Sequence, residues 1–204
     1  MMEFFAALGV RIFHRRMHVG LAAVLLATLV YRPRNFFGSH QTAGAVLALL
    51  LVLAGLALRT WAAGCAGGHT RRATIEAPRL ATGGPFAHVR NPIYLASIVL
   101  GLGMVGLLGD PWMLGLYISV FVFLYTAIVP AEERFLQATF GAAYTRYCAS
   151  VPRFIPRLRA WPEAEHLPFD RTAIRGELRL ALILIGIYCG LRSAAWVRMA
   201  WLGW

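Results

Sequence analysis

Hydrophobic residues in this chain run in long blocks rather than in the short alternations of a half-buried strand, and the polar residues gather between the blocks. A bilayer core of roughly 30 Å takes about 20 helical residues. Apolar stretches near that length lie at residues 17–31, 42–63, 93–108, 111–129 and 178–197, the first of them short. They predict five transmembrane helices, with residues 1–16 reading as an interfacial helix ahead of them. The expected fold class is therefore an all-α integral membrane protein. Only Gly109, Asp110 and Pro111 separate the third and fourth stretches, so those two helices must run antiparallel side by side. Asn91 and Pro130, at the far ends of that pair, are then expected to meet at one face.

Composition agrees with the membrane class. The 204 residues are 59% hydrophobic and 14% charged, with a mean hydropathy of +0.62, whereas about a quarter of the residues of a soluble domain are charged. All twenty basic residues are Arg, against nine acids, a formal charge of +11. They sit between the apolar blocks, which fits topology setting and attraction to anionic headgroups and argues against nucleic acid as a partner. Counting Arg in alternate connections gives three before residue 17, four in 64–92 and seven in 130–177, against Arg32, Arg34 and Arg198 on the other side. That asymmetry predicts a cytosolic N-terminus, a C-terminus on the far side, and two long cytosolic connections. No cleavable signal peptide is expected, so the first helix stays. Cys65, Cys148 and Cys189 are isolated, at no metal-ligand spacing, and read as packing residues. The chain divides into an N-terminal part (1–63), a central core (64–157), and a connector with the last helix (158–204).

Three motifs in the cytosolic connections can carry chemistry. The first, Gly83-Gly84-Pro85-Phe86-Ala87-His88-Val89-Arg90-Asn91-Pro92-Ile93-Tyr94, is a turn leading into a helix with Asn91 as cap and Pro92 at the first helical position. A helix start of this kind, with Arg90 beside it, can hold the carboxylate of an amino-acid-like ligand, or can simply be a well-capped membrane helix with a snorkelling Arg. The second, Pro130-Ala131-Glu132-Glu133-Arg134-Phe135-Leu136, places two carboxylates where the fourth span leaves the membrane. Neighbouring helical residues point about 100° apart, so one Glu can face inward to hold an ammonium while the other meets solvent or Arg134; an interfacial ion pair is the plainer reading. The third runs from Phe140-Gly141 through Tyr144 and Tyr147 to Val151-Pro152-Arg153-Phe154-Ile155-Pro156-Arg157. Its tyrosines share a helix face and would equally serve as headgroup-level anchors.

In order and spacing, Arg90-Asn91-Pro92-x-Tyr94, Glu132-Glu133-x-x-Leu136, Phe140-Gly141-x-x-Tyr144-x-x-Tyr147 and Val151-Pro152-Arg153 resemble the isoprenylcysteine carboxyl methyltransferase and phospholipid methyltransferase superfamily. The resemblance covers roughly residues 80–157. It implies a helical membrane enzyme that binds S-adenosylmethionine in a cytosolic pocket formed by the 64–92 and 130–177 connections, its acceptor a lipid-like small molecule entering from the bilayer. By motif position, Gly84, Phe86, His88, Arg90, Asn91, Pro92, Tyr94, Glu132 and Glu133 would line the cofactor pocket. Arg90, Glu133 and His88 are then the catalytic candidates, with Tyr144, Tyr147 and Arg153 on the acceptor side and no metal. Asn91 stands where prenylcysteine enzymes resemble Arg-His-Pro, which is more like the phospholipid branch, while Tyr-x-x-Tyr and Val-Pro-Arg look more like the prenylcysteine branch. An oxygen, nitrogen or sulfur acceptor stays open.

Methyl transfer from a sulfonium is an in-line displacement by an already activated donor. The protein has to align the reactants and exclude water, so no dedicated nucleophile or metal pattern is needed. Two other readings compete: a nicotinamide-dependent reductase, since sterol reductases resemble this superfamily in their C-terminal part, and a non-catalytic membrane scaffold. The oligomeric state is open, with Gly101, Gly103 and Gly106 in the third span expected to serve close helix packing within one chain.

Overall fold

A computed structural model describes residues 18–34, 37–67, 79–165 and 168–202. The expected interfacial helix at residues 1–16, with its three arginines, and Arg71 and Arg72 of the charge count lie outside the described residues.

The described residues form helices joined by turns, with no strand among them, as the apolar blocks require. In chain order they are α1 (His18–Val30), α2 (Gln41–Ala66), α3 (Pro92–Leu108), α4 (Pro111–Phe140), α5 (Ala142–Ser150) and α6 (Thr172–Leu202). Three stretches are long and apolar enough to cross a membrane, Gly38–Ala66, Pro111–Phe140 and Thr172–Trp201; α1 and α3 are shorter apolar helices. The 17 residues of α3 rise about 25 Å. Because α3 turns straight into α4, its depth is matched by the first part of that longer helix. Two boundaries move from the expected ones. The last helix begins at Thr172, well before residue 178, and α4 runs on through Pro130 to Phe140, carrying both glutamates beyond the apolar stretch.

The turn between α3 and α4 is built from two residues. Gly109 ends α3 in the left-handed region (φ 69°), where a Cβ would stand 2.9 Å from the Arg34 carbonyl oxygen. Asp110, 1% exposed, caps α4: its Oδ1 accepts the Trp112 N–H at 3.0 Å, and its Oδ2 accepts the Arg32 N–H at 2.9 Å. The same end of the molecule is closed by Tyr31, fully buried, whose hydroxyl donates to Leu108 O at 3.0 Å. Arg198 of α6 donates to the carbonyls of Thr28 and Tyr31, acceptors that the end of α1 leaves without helical partners.

Close packing of α2 on α3 rests on small residues. A Cβ at Gly55 would lie 2.6 Å from the Leu100 backbone nitrogen, and one at Gly103 would lie 2.7 Å from Ala48 O. Gly106 likewise faces Ala48, and Gly101 faces the Tyr117 ring, so all three glycines of the third span pack within the chain. At the opposite end from Tyr31, Arg59 of α2 reaches both Glu177 of α6 (Nε to Oε2, 3.1 Å) and Ser97 Oγ of α3 (2.5 Å). Glu177 is 4% exposed. This buried ionic link ties three helices together just inside the end that carries the motifs.

Candidate active site

The first motif folds back against the end of α2. Gly84 has φ 58° and starts a single 3-10 turn, Gly84–Ala87; a Cβ there would meet Cys65 Sγ at 2.6 Å and Trp61 Nε1 at 3.2 Å. Only glycine suits both the conformation and the space. Along the following residues Pro85, Ala87 and Val89 are buried, while Phe86, His88 and Arg90 remain partly open. Pro92 takes the first helical position as expected, and Asn91 is the residue before it. Asn91 does not cap the helix with its side chain, however; its Nδ2 donates to Arg153 O at 3.2 Å. The expected capping bond is replaced by a link to the third motif.

That third motif forms a strap, residues 151–165, laid across residues 82–91. Arg90 N–H donates to Pro152 O (2.9 Å), Arg157 N–H to His88 O (3.0 Å) and Trp161 N–H to Ala87 O (2.9 Å). Glu165 N–H donates to Thr82 Oγ1 at 2.9 Å. His88 Nδ1 lies 2.9 Å from Arg157 O. A carbonyl can only accept, so Nδ1 carries a proton and is the donor in this contact. Tyr147, on α5, donates from its hydroxyl to Phe86 O at 2.7 Å and packs on Trp161, ring centroids 5.5 Å apart. Tyr144 and Tyr147 are 3% and 2% exposed and belong to a small core with Val151, closed by Leu80, Leu136, Phe140, Cys148 and Trp161.

The first and second motifs meet through charge. Arg90 Nη1 is 3.2 Å from Glu133 Oε1, while Arg153 from the strap grips the same carboxylate with Nε at 3.1 Å and with Nη2. Glu133 is thus the inward member of the glutamate pair, its side chain 12% exposed between two guanidinium groups. Glu132 is half-buried beside it and has a partner of its own. Tyr94, near the start of α3, packs at a tilt against Tyr125 of α4 with ring centroids 4.5 Å apart, in an aromatic run continued by Phe121. His88, Arg90, Asn91 and Glu133 therefore gather under the strap at one end of the α3/α4 pair, with Gly84 against the end of α2 and Tyr94 against Tyr125 of α4.

Sequence reasoning missed Cys148, which was expected only to pack. Its Sγ accepts from Arg90 Nη1 at 2.9 Å. The signal was available, since Cys148 follows Tyr144 by four residues and shares its helix face. Of the residues that fasten the strap, Arg157 is the last of the motif and Trp161 lies beyond it, and neither carries a local signal for its bond to the first motif.

The cluster sets cations against carboxylates, Arg90 and Arg153 on Glu133 with Glu132 beside it. Burial draws the Arg90 guanidinium down, but Glu133 and then Cys148 more than offset this, and its pKa is raised overall. Burial pushes the Tyr144 phenol well above its ordinary value, and Glu133 adds to the effect; Tyr147 is raised chiefly by burial too. Two buried polar atoms here have no hydrogen-bond partner, Arg90 Nε and the Tyr144 hydroxyl, although the Cys148 thiol and Glu133 stand near that phenol. Such atoms are costly unless something meets them. With Arg90 and Arg153 for a carboxylate and Glu133 for an ammonium, the residues present have the chemistry to receive the amino-acid end of S-adenosylmethionine.

Residues 43–143 match the phospholipid methyltransferase family. The chain is 34% identical over 77 residues to the protein-S-isoprenylcysteine O-methyltransferase of Schizosaccharomyces pombe, a match covering 38% of this chain and 33% of that protein. It is 29% identical over 79 residues to the cobalt-zinc-cadmium resistance protein CzcN of Cupriavidus metallidurans, covering 39% of this chain and 36% of that protein. The chain thus spans about a third of the length of these curated relatives. No solved structure matches it. The family match runs from α2 to the start of α5, just under half of the chain, and together with the likeness to a prenylcysteine methyltransferase it supports a relationship to the isoprenylcysteine carboxyl methyltransferase and phospholipid methyltransferase superfamily.

Proposed function

We propose that this protein is an integral membrane methyltransferase that takes its methyl group from S-adenosylmethionine and passes it to a lipid-like or prenylated small acceptor arriving from the bilayer. The observation that carries the reading is the Arg90–Glu133 contact under the strap, with Arg90 Nε and the Tyr144 hydroxyl buried beside it and unmet. A zwitterionic amino-acid group entering there would exchange the two ion pairs that Arg90 and Arg153 make with Glu133 for two of its own, its carboxylate on Arg90 and its ammonium on Glu133, so little charge would be left uncompensated. Arg153, 47% exposed, is the guanidinium that can swing away from Glu133 to admit it.

When bound, the donor supplies an activated methyl, and the chain's part is to position and to exclude water. Tyr147 and the backbone bonds of the strap hold the roof in place; Gly84 and Phe86 shape the wall against α2. His88, with Nδ1 taken up by Arg157 O, has Nε2 left to act as the base for a protonated amine acceptor, whereas a carboxylate or thiolate acceptor requires none. The Arg asymmetry of the sequence supports a cytosolic position for this end and for the N-terminus.

The test is calorimetric binding of S-adenosylmethionine to the purified protein in detergent, with NADPH as the competitor reading. Transfer of labelled methyl into total lipid extract and into small prenylated thiols should then follow. Binding of NADPH without S-adenosylmethionine would leave the reductase reading in its place, and binding of neither would favour a scaffold.

A further inference from the structure

At the end of the molecule away from the candidate active site, the last turns of α1 and the first turns of α4 leave an open groove of about 580 Å³. Its walls are apolar, with Leu26, Leu29 and Leu116 among them, and its mouth carries Arg32, Arg34 and Trp112. Leu29 and Trp112 are 75% and 67% exposed. The two arginines lie in the connection after α1, and Trp112 is in the first turn of α4, the level at which aromatic side chains meet lipid headgroups. Below them the walls belong to apolar helices. The groove therefore changes from cationic to aromatic to apolar over the depth at which a glycerophospholipid changes from phosphate to glycerol to acyl chain.

We propose that this groove is a binding site for one anionic glycerophospholipid of the surrounding leaflet, its phosphate on Arg32 and Arg34 and an acyl chain along Leu26, Leu29 and Leu116. Charge complementarity selects the occupant. Among the described residues no acidic side chain lines the groove, and Asp110, at the start of α4 beside it, is 1% exposed with its oxygens turned to the N–H groups of Arg32 and Trp112. That carboxylate fixes the mouth, because it holds the segment bearing the arginines against the helix bearing Trp112. The hydroxyl of Tyr31 on Leu108 O and the Arg198 contacts to Thr28 and Tyr31 brace the same segment from behind. A zwitterionic headgroup brings a cation next to the two guanidinium groups, whereas a net-negative one does not. Two arginines at the surface correspond to a preference of about tenfold or more for the anionic lipid.

The site is independent of any reaction at the other end, and its test needs no activity. The full chain, delipidated in neutral detergent, is titrated with phosphatidylglycerol or phosphatidylcholine of matched chains, and retained lipid is counted by native mass spectrometry. The expected result is preferential retention of one phosphatidylglycerol by the natural protein and by the R32K/R34K double variant, with the preference lost in R32Q/R34Q. Equal retention of both lipids by the natural protein, or an undiminished preference in R32Q/R34Q, overturns the proposal. Should R32Q/R34Q fail to fold, phosphatidylglycerol with brominated chains decides: it should quench the natural protein's fluorescence more than that of W112F, and equal quenching overturns the assignment.

Discussion

Tyr144 and Tyr147 sit one turn apart on α5, almost equally buried, yet their hydroxyls differ in what they meet. Tyr147 donates to Phe86 O, and Tyr144 meets no oxygen or nitrogen. Removing the first hydroxyl orphans a carbonyl, so Tyr147→Phe should cost about 1–3 kcal/mol, read as a lowered thermal midpoint in detergent. Tyr144→Phe removes an unmet group and should leave the ligand-free midpoint unchanged or higher, while weakening S-adenosylmethionine. A large destabilisation by Tyr144→Phe would mean that its hydroxyl is satisfied after all. Both phenols are raised by burial, so the folded protein keeps protons that the unfolded chain loses from about pH 10 upward. Their contribution to stability is full below that pH and falls as pH rises toward the folded values; the double Phe variant should flatten the alkaline loss of thermal midpoint. In the ion cluster, Glu133→Gln and Arg90→Ala should each weaken S-adenosylmethionine by roughly ten- to a hundredfold, the worth of a charge-assisted hydrogen bond. Unchanged affinity in both, measured by calorimetry on folded protein, would remove the donor from this site.

Helices were the part most legible in sequence, because a membrane span needs an unbroken apolar run and each run here became a helix. A tight turn followed from spacing alone, expected over Gly109, Asp110 and Pro111 and found as Gly109 and Asp110, and with it the meeting of the first and second motifs, realised as Arg90 against Glu133. Contacts made by one side chain across a long loop were not legible. Asn91 had every local reason to cap α3, and only the arrival of the strap, with Arg153 O in reach, gives its amide a different partner. The strap's fastening by Arg157 and Trp161 is equally non-local. Between elements, α2 and α3 touch where glycine leaves room, so Gly55→Val should force the helices apart at Leu100. Overpacking of this kind costs about 1–3 kcal/mol or more, and a lowered thermal midpoint with intact helical circular dichroism is the expected signature. A midpoint equal to that of the natural protein would mean that the α2/α3 contact can yield at that point.

Over the whole molecule, the two ends are held by different means. The Tyr31 end uses hydrogen bonds to backbone carbonyls, whereas the end with the motifs is fastened by Arg59, Ser97 and Glu177 from three helices that are far apart in sequence. Nothing local foretells that pairing. What the sequence does contain is one cation near the end of an apolar helix and one anion just before another, and charges so placed must find each other or water. Breaking the buried pair from one side is the expensive outcome, so Arg59→Met or Glu177→Gln should each cost about 3–5 kcal/mol, while the double replacement Arg59→Met with Glu177→Met should recover most of the loss by substituting apolar packing for the pair. Thermal unfolding in detergent measures all three variants. If the pair also sets how α6 stands against α2 and α3, the double variant will be stable yet bind S-adenosylmethionine more weakly, because α2 forms the wall behind Gly84 through Trp61 and Cys65. If it is as unstable as the single variants, the link holds the bundle by geometry that apolar contacts do not reproduce.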